Sequence, residues 1–137
     1  MPNDFNTRII EEFRANAGKV GAPFAGAPMV LLTTTGAKSG RKHTTPLVYL
    51  QDGGRIVVFA SMGGAPKDPQ WYRNLVAHPE ATVEVGVDRY EVKAKVMTGA
   101  ERDDLFRRQA ARFPAFDEYQ TKTTRTIPVV ALERTNS

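Results

Sequence analysis

Residues Thr33–Leu47 read TTTGAKSGRKHTTPL, and this stretch links two segments with the composition of β-strands. MVLLTTT (residues 29–35) leads into it and TTPLVYLQ (residues 44–51) leads out, so the two segments predict neighbouring antiparallel strands. A β-hairpin can be closed by two residues, yet this link contains two glycines and three consecutive basic residues. Its length and its many hydrogen-bond donors predict that the turn binds a ligand as well as reversing the chain.

Further segments extend the same pattern along the chain. They are RIVVFAS (55–61), which follows the turn DGG, then ATVEV (81–85), RYEVKAKV (89–96) and TIPVVALE (126–133). Six strands of this kind predict a fold that is mainly β with helices (α+β), a small antiparallel barrel in one domain over residues 1–137. A doubly wound α/β sheet is disfavoured because the first three strands follow one another without crossover helices.

Helix signals lie at the start, in the middle and near the end of the chain. Helices are predicted from Asn3 or Asp4 to about residue 17, over 70–77, from 98 to about 112, and over 114–121. Asp68 is the predicted capping residue of the second helix, with Pro69 in the first helical position. Thr98 and Glu101 match a capping box at the start of the third.

The composition narrows the function classes. The chain has no cysteine, which excludes a disulfide scaffold, a zinc ribbon and thiol catalysis. His43 and His78 lack metal-ligand spacing, so no metal site is expected. The N-terminus has acids where a signal peptide has bases, which predicts a cytoplasmic protein. A net charge of +4 favours an anionic partner.

Two loops have the composition of binding sites. In the first, Gly36 and Gly40 allow close approach of backbone N–H groups among basic and hydroxyl side chains, which suits a phosphate or a polycarboxylate. A solvated basic hairpin is the alternative. The second, SMGGAPKDPQWY (61–72), has a Gly-Gly pair that would let backbone pass close to a flat ligand. The alternatives there are a linker that only reverses direction and a core position for Trp71.

Three segments resemble the deazaflavin-dependent nitroreductase family, the split-barrel proteins that bind coenzyme F-420. They are LLTTTGAKSGRKHTTPL, VVFASMGGAPKDPQWYRNLVAHPE and FPAFDEYQTKTTRTIPVV, in this order between residues 31 and 130. The resemblance implies a split β-barrel similar to the FMN-binding split barrels. It also implies transfer of a hydride from reduced F-420 to a small planar acceptor such as a quinone, an activated enone or lactone, or a nitroaromatic compound.

The resemblance also implies roles for individual residues. The phosphate and oligoglutamate tail of the coenzyme would contact Ala37, Lys38, Ser39, Gly40, Arg41, Lys42 and His43. The deazaflavin ring would lie between Pro46, Leu47 and Val48 and an edge formed by Ala60, Ser61, Met62 and Gly63, with Trp71 and Asn74 closing the pocket. Phe113, Phe116 and Tyr119 would form a lid over the acceptor. Ser61 and Tyr119 would be catalytic, each through a hydrogen bond or a proton given to the acceptor.

Departures from the family pattern change which acceptors are expected. Some members have arginine in place of His43 and tyrosines in place of Phe113 and Phe116, so quinones and activated enones or lactones are expected to be better acceptors than bicyclic nitroimidazoles. FMN binding on the same barrel is the main alternative. A nucleic-acid-binding barrel is disfavoured because the aromatic residues do not interleave with the basic turn. The first helix lacks a basic amphipathic face, which predicts at most weak membrane contact.

Overall fold

The structure is a computed structural model that describes residues 4–19, 28–61, 68–123 and 126–135. Its helices are α1 (Asp4–Ala15), α2 (Gln70–Ala77), α3 (Gly99–Arg112) and α4 (Ala115–Thr121). Its strands are β1 (Met29–Thr35), β2 (Lys42–Val48), β3 (Leu50–Asp52), β4 (Arg55–Phe59), β5 (Glu80–Val85), β6 (Asp88–Val96) and β7 (Val129–Arg134). The prediction of a mainly β protein with helices is confirmed.

The strands form one antiparallel sheet in the order β2-β1-β5-β6-β7-β4-β3. Its two edge strands, β2 and β3, are consecutive in the chain and are separated by Tyr49 alone. The sheet therefore curls until its edges meet at this residue. The Tyr49 N–H donates to the Pro28 carbonyl at 3.0 Å, in register with the β1–β2 ladder, and the next residue, Leu50, pairs with Val57 of β4.

The break at Tyr49 corrects the predicted strand count. The segment TTPLVYLQ was expected to form one strand, but its first part pairs with β1 and its last part pairs with β4. The described chain consequently has seven strands and not six.

Successive side chains of each strand point to opposite faces of the sheet, so they belong to separate clusters of buried residues. The inner cluster lies on the concave side of the sheet and consists of Val30, Leu32, Ile56, Val58, Ala60, Trp71, Leu75, Ala81, Val83, Val92, Val130 and Leu132. The outer cluster lies under α3 and α4 and includes Val57, Phe59, Leu105 and Phe106. A third cluster packs Ile9 and Phe13 of α1 against β1. Helix α2 thus belongs to the interior of the barrel, whereas the other helices cover its outside.

The helix bounds are close to the predicted ones, but one predicted cap position is wrong and the predicted capping bond of the other is not formed. The residue that caps α2 is Pro69 and not Asp68, and it makes no side-chain capping bond. Thr98 does occupy the cap position of α3, yet its side chain makes no capping bond either. Glu101 instead accepts a hydrogen bond from Arg55 of β4 at 3.0 Å. In a capping box, the Glu101 carboxylate would accept from the backbone N–H of Thr98. Asn3 lies outside the described residues.

Candidate functional site

The basic turn between β1 and β2, residues 36–41, is closed by its own backbone. The Gly36 N–H donates to the Arg41 carbonyl at 2.7 Å, and the Gly40 N–H donates to the Gly36 carbonyl at 3.0 Å. Gly40 has a φ of +71°, a conformation that favours glycine. The Arg41 N–H donates to Ser39 Oγ at 3.1 Å. These bonds define the turn, and the side chains of residues 38 to 43 are left exposed.

Gly36 is buried at the base of this turn. A Cβ at this position would lie 2.5 Å from Ser39 Oγ and 3.2 Å from His43 Nε2. Any larger residue would displace one of these two side chains. The glycine therefore allows two of the predicted binding residues to converge on one point.

Helix α2 braces the turn through Asn74, whose side chain is only 1% exposed. Asn74 Oδ1 accepts hydrogen bonds from the Ala37 N–H at 3.0 Å and from Gln70 Nε2 at 2.9 Å. Asn74 Nδ2 donates to Thr34 Oγ1 at 3.1 Å. The carboxamide thus ties the helix to the turn and to β1.

A cleft of about 380 Å³ lies between the turn and α2. It is lined by Gly36, Ala37, Lys38, Ser39, His43, Gln70 and Arg73. Gln70 and Arg73 were not predicted from the sequence. The available signal was helical spacing, because Gln70 lies four residues before Asn74 and three residues before Arg73 and so can contact both.

The cations around this cleft are not neutralised. Among the described residues, none of Lys38, Arg41 and Arg73 forms an ion pair with a carboxylate, and Lys42 donates to the Thr35 hydroxyl at 2.9 Å. Several arginines elsewhere do form such pairs, as Arg14 does with Glu84 at 2.8 Å. A cluster of uncompensated cations beside exposed hydroxyl groups is a suitable site for a phosphate or a carboxylate.

The inner cluster lies next to this cleft because α2 contributes to both. Ala60 and Trp71 are buried members of that cluster, and Leu47 packs against it. Tyr72, beside Trp71, has a pKa raised by burial and by the negative charge of Asp68, so its phenol is protonated at neutral pH. The structure therefore brings together three of the residues predicted to contact the ring.

The other predicted ring contacts are distributed differently. Pro46 and Val48 are half-buried in β2, and Val48 packs on the outside against α1. Ser61 follows β4 and is 8% exposed. Met62 and Gly63 lie outside the described residues.

The aromatic stripe of α4 lies on the outside of the barrel. Phe116 contacts Phe59 edge to face with ring centres 5.7 Å apart, and Tyr119 contacts Phe116 at 5.2 Å. Phe113 lies 6.4 Å from Phe116. Phe116 and Tyr119 pack against the outer cluster, whereas the basic turn adjoins the inner one. Among the described residues the structure does not bring the stripe and the turn together, and the lid stays a prediction.

Two further features bear on the site. None of the described helices has the length and apolar character needed to cross a bilayer. In the described part of the chain, no three histidine or acidic side chains are grouped so that they could ligate a metal ion.

Comparison with known proteins identifies the family. An F420H(2)-dependent quinone reductase of Mycobacterium tuberculosis is 38% identical over 128 residues, which are 89% of this chain and 85% of that protein. A solved F420-H2 dependent reductase shares 42% identity with a TM-score of 0.72, over 77% of this chain and 94% of that one. A structure described as a domain-swapped dimer shares 37% identity with a TM-score of 0.73, over 97% of this chain and 100% of that one. The family profile of F420H(2)-dependent quinone reductases matches residues 6–134, and the chain belongs to that family.

Proposed function

We propose that the protein reduces a quinone with hydride from reduced coenzyme F-420. The observation that supports this most directly is the cleft between the basic turn and α2, whose lining cations Lys38 and Arg73 have no carboxylate partner among the described residues. The family to which the chain belongs is named for this coenzyme. A cytoplasmic location is part of the proposal.

The residues of the cleft fit the anionic tail of the coenzyme. Phosphate and glutamate carboxylates accept hydrogen bonds, and Lys38 and Arg41 are exposed donors with full charge. The Ala37 N–H is already used by Asn74, so side chains rather than this amide would hold the tail. The narrow space above Gly36 would set where the first anionic group lies, because Ser39 and His43 meet there.

The apolar residues next to the cleft would hold the ring. Leu47 packs against the inner cluster, to which Ala60 and Trp71 belong, so a planar group placed there would be shielded from water on one side. When bound, the reduced deazaflavin ring supplies a hydride, and the protein supplies position and a dry environment.

A hydroxyl group would assist the acceptor. A quinone that takes up a hydride gains negative charge on oxygen and needs one proton to become the hydroquinone. Ser61, at the end of β4, would donate a hydrogen bond to that oxygen as the charge develops. Solvent would supply the proton, because the phenol of Tyr119, which was predicted to give it, packs against the outer cluster.

Binding is tested by the fluorescence of Trp71, the only tryptophan of the chain, during titration with F-420 and in parallel with FMN. Saturable quenching by F-420 alone is expected. Quenching by FMN alone would move the protein to flavin chemistry, and quenching by neither would contradict the proposal. A labelled single-stranded oligonucleotide serves as a control and is expected not to bind.

Turnover is tested with acceptors of different polarity. We expect a naphthoquinone to be reduced fastest, an activated enone or lactone more slowly, and a bicyclic nitroimidazole slowest, because Phe113 and Phe116 offer no phenol to a nitro group. Ser61→Ala should lower kcat more than it weakens F-420 binding, whereas Lys38→Ala should mainly raise the Kd of F-420. Equal effects of both variants on both parameters would contradict the assigned roles.

A further inference from the structure

A chain of side-chain hydrogen bonds runs from the surface of α2 to the basic turn. Arg73 Nη2 donates to Gln70 Oε1 at 2.8 Å, and Gln70 Nε2 donates to Asn74 Oδ1 at 2.9 Å. The same oxygen of Asn74 receives the Ala37 N–H at 3.0 Å. Each member therefore limits the orientation of the next one.

The exposed end of this chain is a guanidinium with unused donors. Arginine has five N–H donors, and the bond to Gln70 occupies one of them. Arg73 lines the cleft and forms no ion pair with a described carboxylate. Because Gln70 is itself held by Asn74, the guanidinium is oriented before any ligand arrives, which lowers the conformational entropy lost on binding.

We propose that Arg73 binds an anionic group of the ligand, a phosphate or a carboxylate, from the α2 side of the cleft. Gln70 and Asn74 are positioning residues that orient Arg73 relative to the basic turn. The inference rests on the proposed function in one respect, namely that the anion belongs to the tail of F-420. The site thus has two walls, one from the turn and one from the helix.

The first test compares F-420 with its deazaflavin chromophore lacking the phosphate and glutamates. Arg73→Gln is expected to weaken F-420 binding about tenfold and to leave chromophore binding unchanged, since a charge-assisted hydrogen bond is lost only with the tail. Arg73→Lys should recover part of the affinity. Arg107→Gln, the same charge change on α3, is the matched control and should leave both affinities unchanged. Equal weakening of both ligands by Arg73→Gln would overturn the proposal.

The second test examines the positioning role by a double-mutant cycle. Gln70→Ala should weaken F-420 binding about threefold in the otherwise unchanged protein and have no effect in the Arg73→Gln background, because its influence passes through Arg73. Equal losses in both backgrounds would show that Gln70 acts on its own, and the positioning role would be rejected.

The third test separates this inference from the proposed function. The Nε–H resonance of Arg73 is followed by NMR while inorganic phosphate, and separately a γ-linked triglutamate, is added to the full chain. A saturable shift of Arg73 whose midpoint needs about threefold more probe in Gln70→Ala supports the anion site even if the protein fails to bind F-420, and the more effective probe identifies the anion. No shift with either probe, in a protein that binds F-420, would overturn the proposal.

Discussion

Two helices each bury one carboxamide, and the two groups differ in their surroundings. Asn74 of α2 is 1% exposed and Gln109 of α3 is 0% exposed. The carboxamide of Asn74 makes three hydrogen bonds, to the turn, to β1 and to its own helix. Within the described part of the chain, neither Nε2 nor Oε1 of Gln109 has a hydrogen-bond partner. The helix at the candidate site thus has a satisfied polar interior, and the helix on the outer face does not.

The charges of the two regions show the opposite contrast. On the α3 side, Arg108 pairs with Asp52 at 2.9 Å and Arg107 pairs with Asp104 at 2.8 Å. Beside α2, Lys38 and Arg73 have no such partner among the described residues. Two arginines of α3 are thus paired within the chain, whereas α2 is fixed by buried hydrogen bonds and its neighbouring cations remain open to a ligand.

Removing the satisfied carboxamide should have the largest effect on stability. We expect Asn74→Ala to lower the free energy of unfolding by about 2 to 4 kcal/mol, because the Ala37 N–H and the Thr34 hydroxyl lose a buried partner and a cavity forms. Urea unfolding measures the loss. Gln70→Ala is the control, and should cost less than about 0.5 kcal/mol since Gln70 is exposed and the bond to Ala37 remains.

Replacing the unsatisfied carboxamide should act in the other direction. Gln109→Met keeps the shape of the side chain and removes two buried polar atoms without partners, so a gain of about 1 to 2 kcal/mol is expected. Thermal unfolding should then occur several degrees higher. Gln109→Ala is the companion variant and should destabilise, because it leaves a cavity. A loss of stability in Gln109→Met would show that the amide has a partner and would break the comparison.

The local parts of this architecture were readable from the sequence. Strand composition predicted β1 closely, the alternation of apolar residues predicted β6, and the proline and helical spacing predicted α2. The break at Tyr49 was not readable, because the residues on both sides have strand composition and the break depends on β1 and β4 lying at different places in the sheet. The capping box failed for a similar reason, since Arg55, far away in the chain, takes Glu101.

In the candidate site too, the local part was predicted from the sequence and the part that depends on tertiary contacts was not. Glycine and basic residues close together in the chain indicated a binding turn. The family resemblance then indicated that this turn binds the phosphate and oligoglutamate tail of F-420. Gln70 and Arg73 reach the cleft only because Asn74 docks α2 on the turn, a contact across 37 positions that no local pattern records. Gln109 likewise reads as an ordinary polar residue of a surface helix until the packing of α3 is known.

The ion pairs of the outer region should show a smaller, pH-dependent effect. Hydrogen bonds from Arg108 and then from Arg55 lower the pKa of Asp52 below its usual value of 3.8. A lowered pKa in the folded state means that the stabilisation is complete above about pH 4 and is lost as the pH falls further. Asp52→Asn should therefore cost about 1 kcal/mol or less at pH 7, and the difference from the unchanged protein should shrink towards zero near pH 2 in urea unfolding. A difference independent of pH would mean that the carboxylate charge is not the cause.

The unpaired cations of the turn should matter least for folding. Lys38→Gln removes a charge that has no carboxylate partner in the described chain and that lies near Arg41 and Lys42, so we expect the free energy of unfolding to stay within about 0.5 kcal/mol, with any change a gain. Such a gain comes from relieved repulsion and should disappear as salt is raised from about 0.01 M to 1 M. The same variant should bind F-420 more weakly, so stability and affinity would move independently. A loss of stability in Lys38→Gln as large as that in Asp52→Asn would show that the Lys38 charge already interacts with a group of the protein. The cations of the turn would then not be free to bind a ligand.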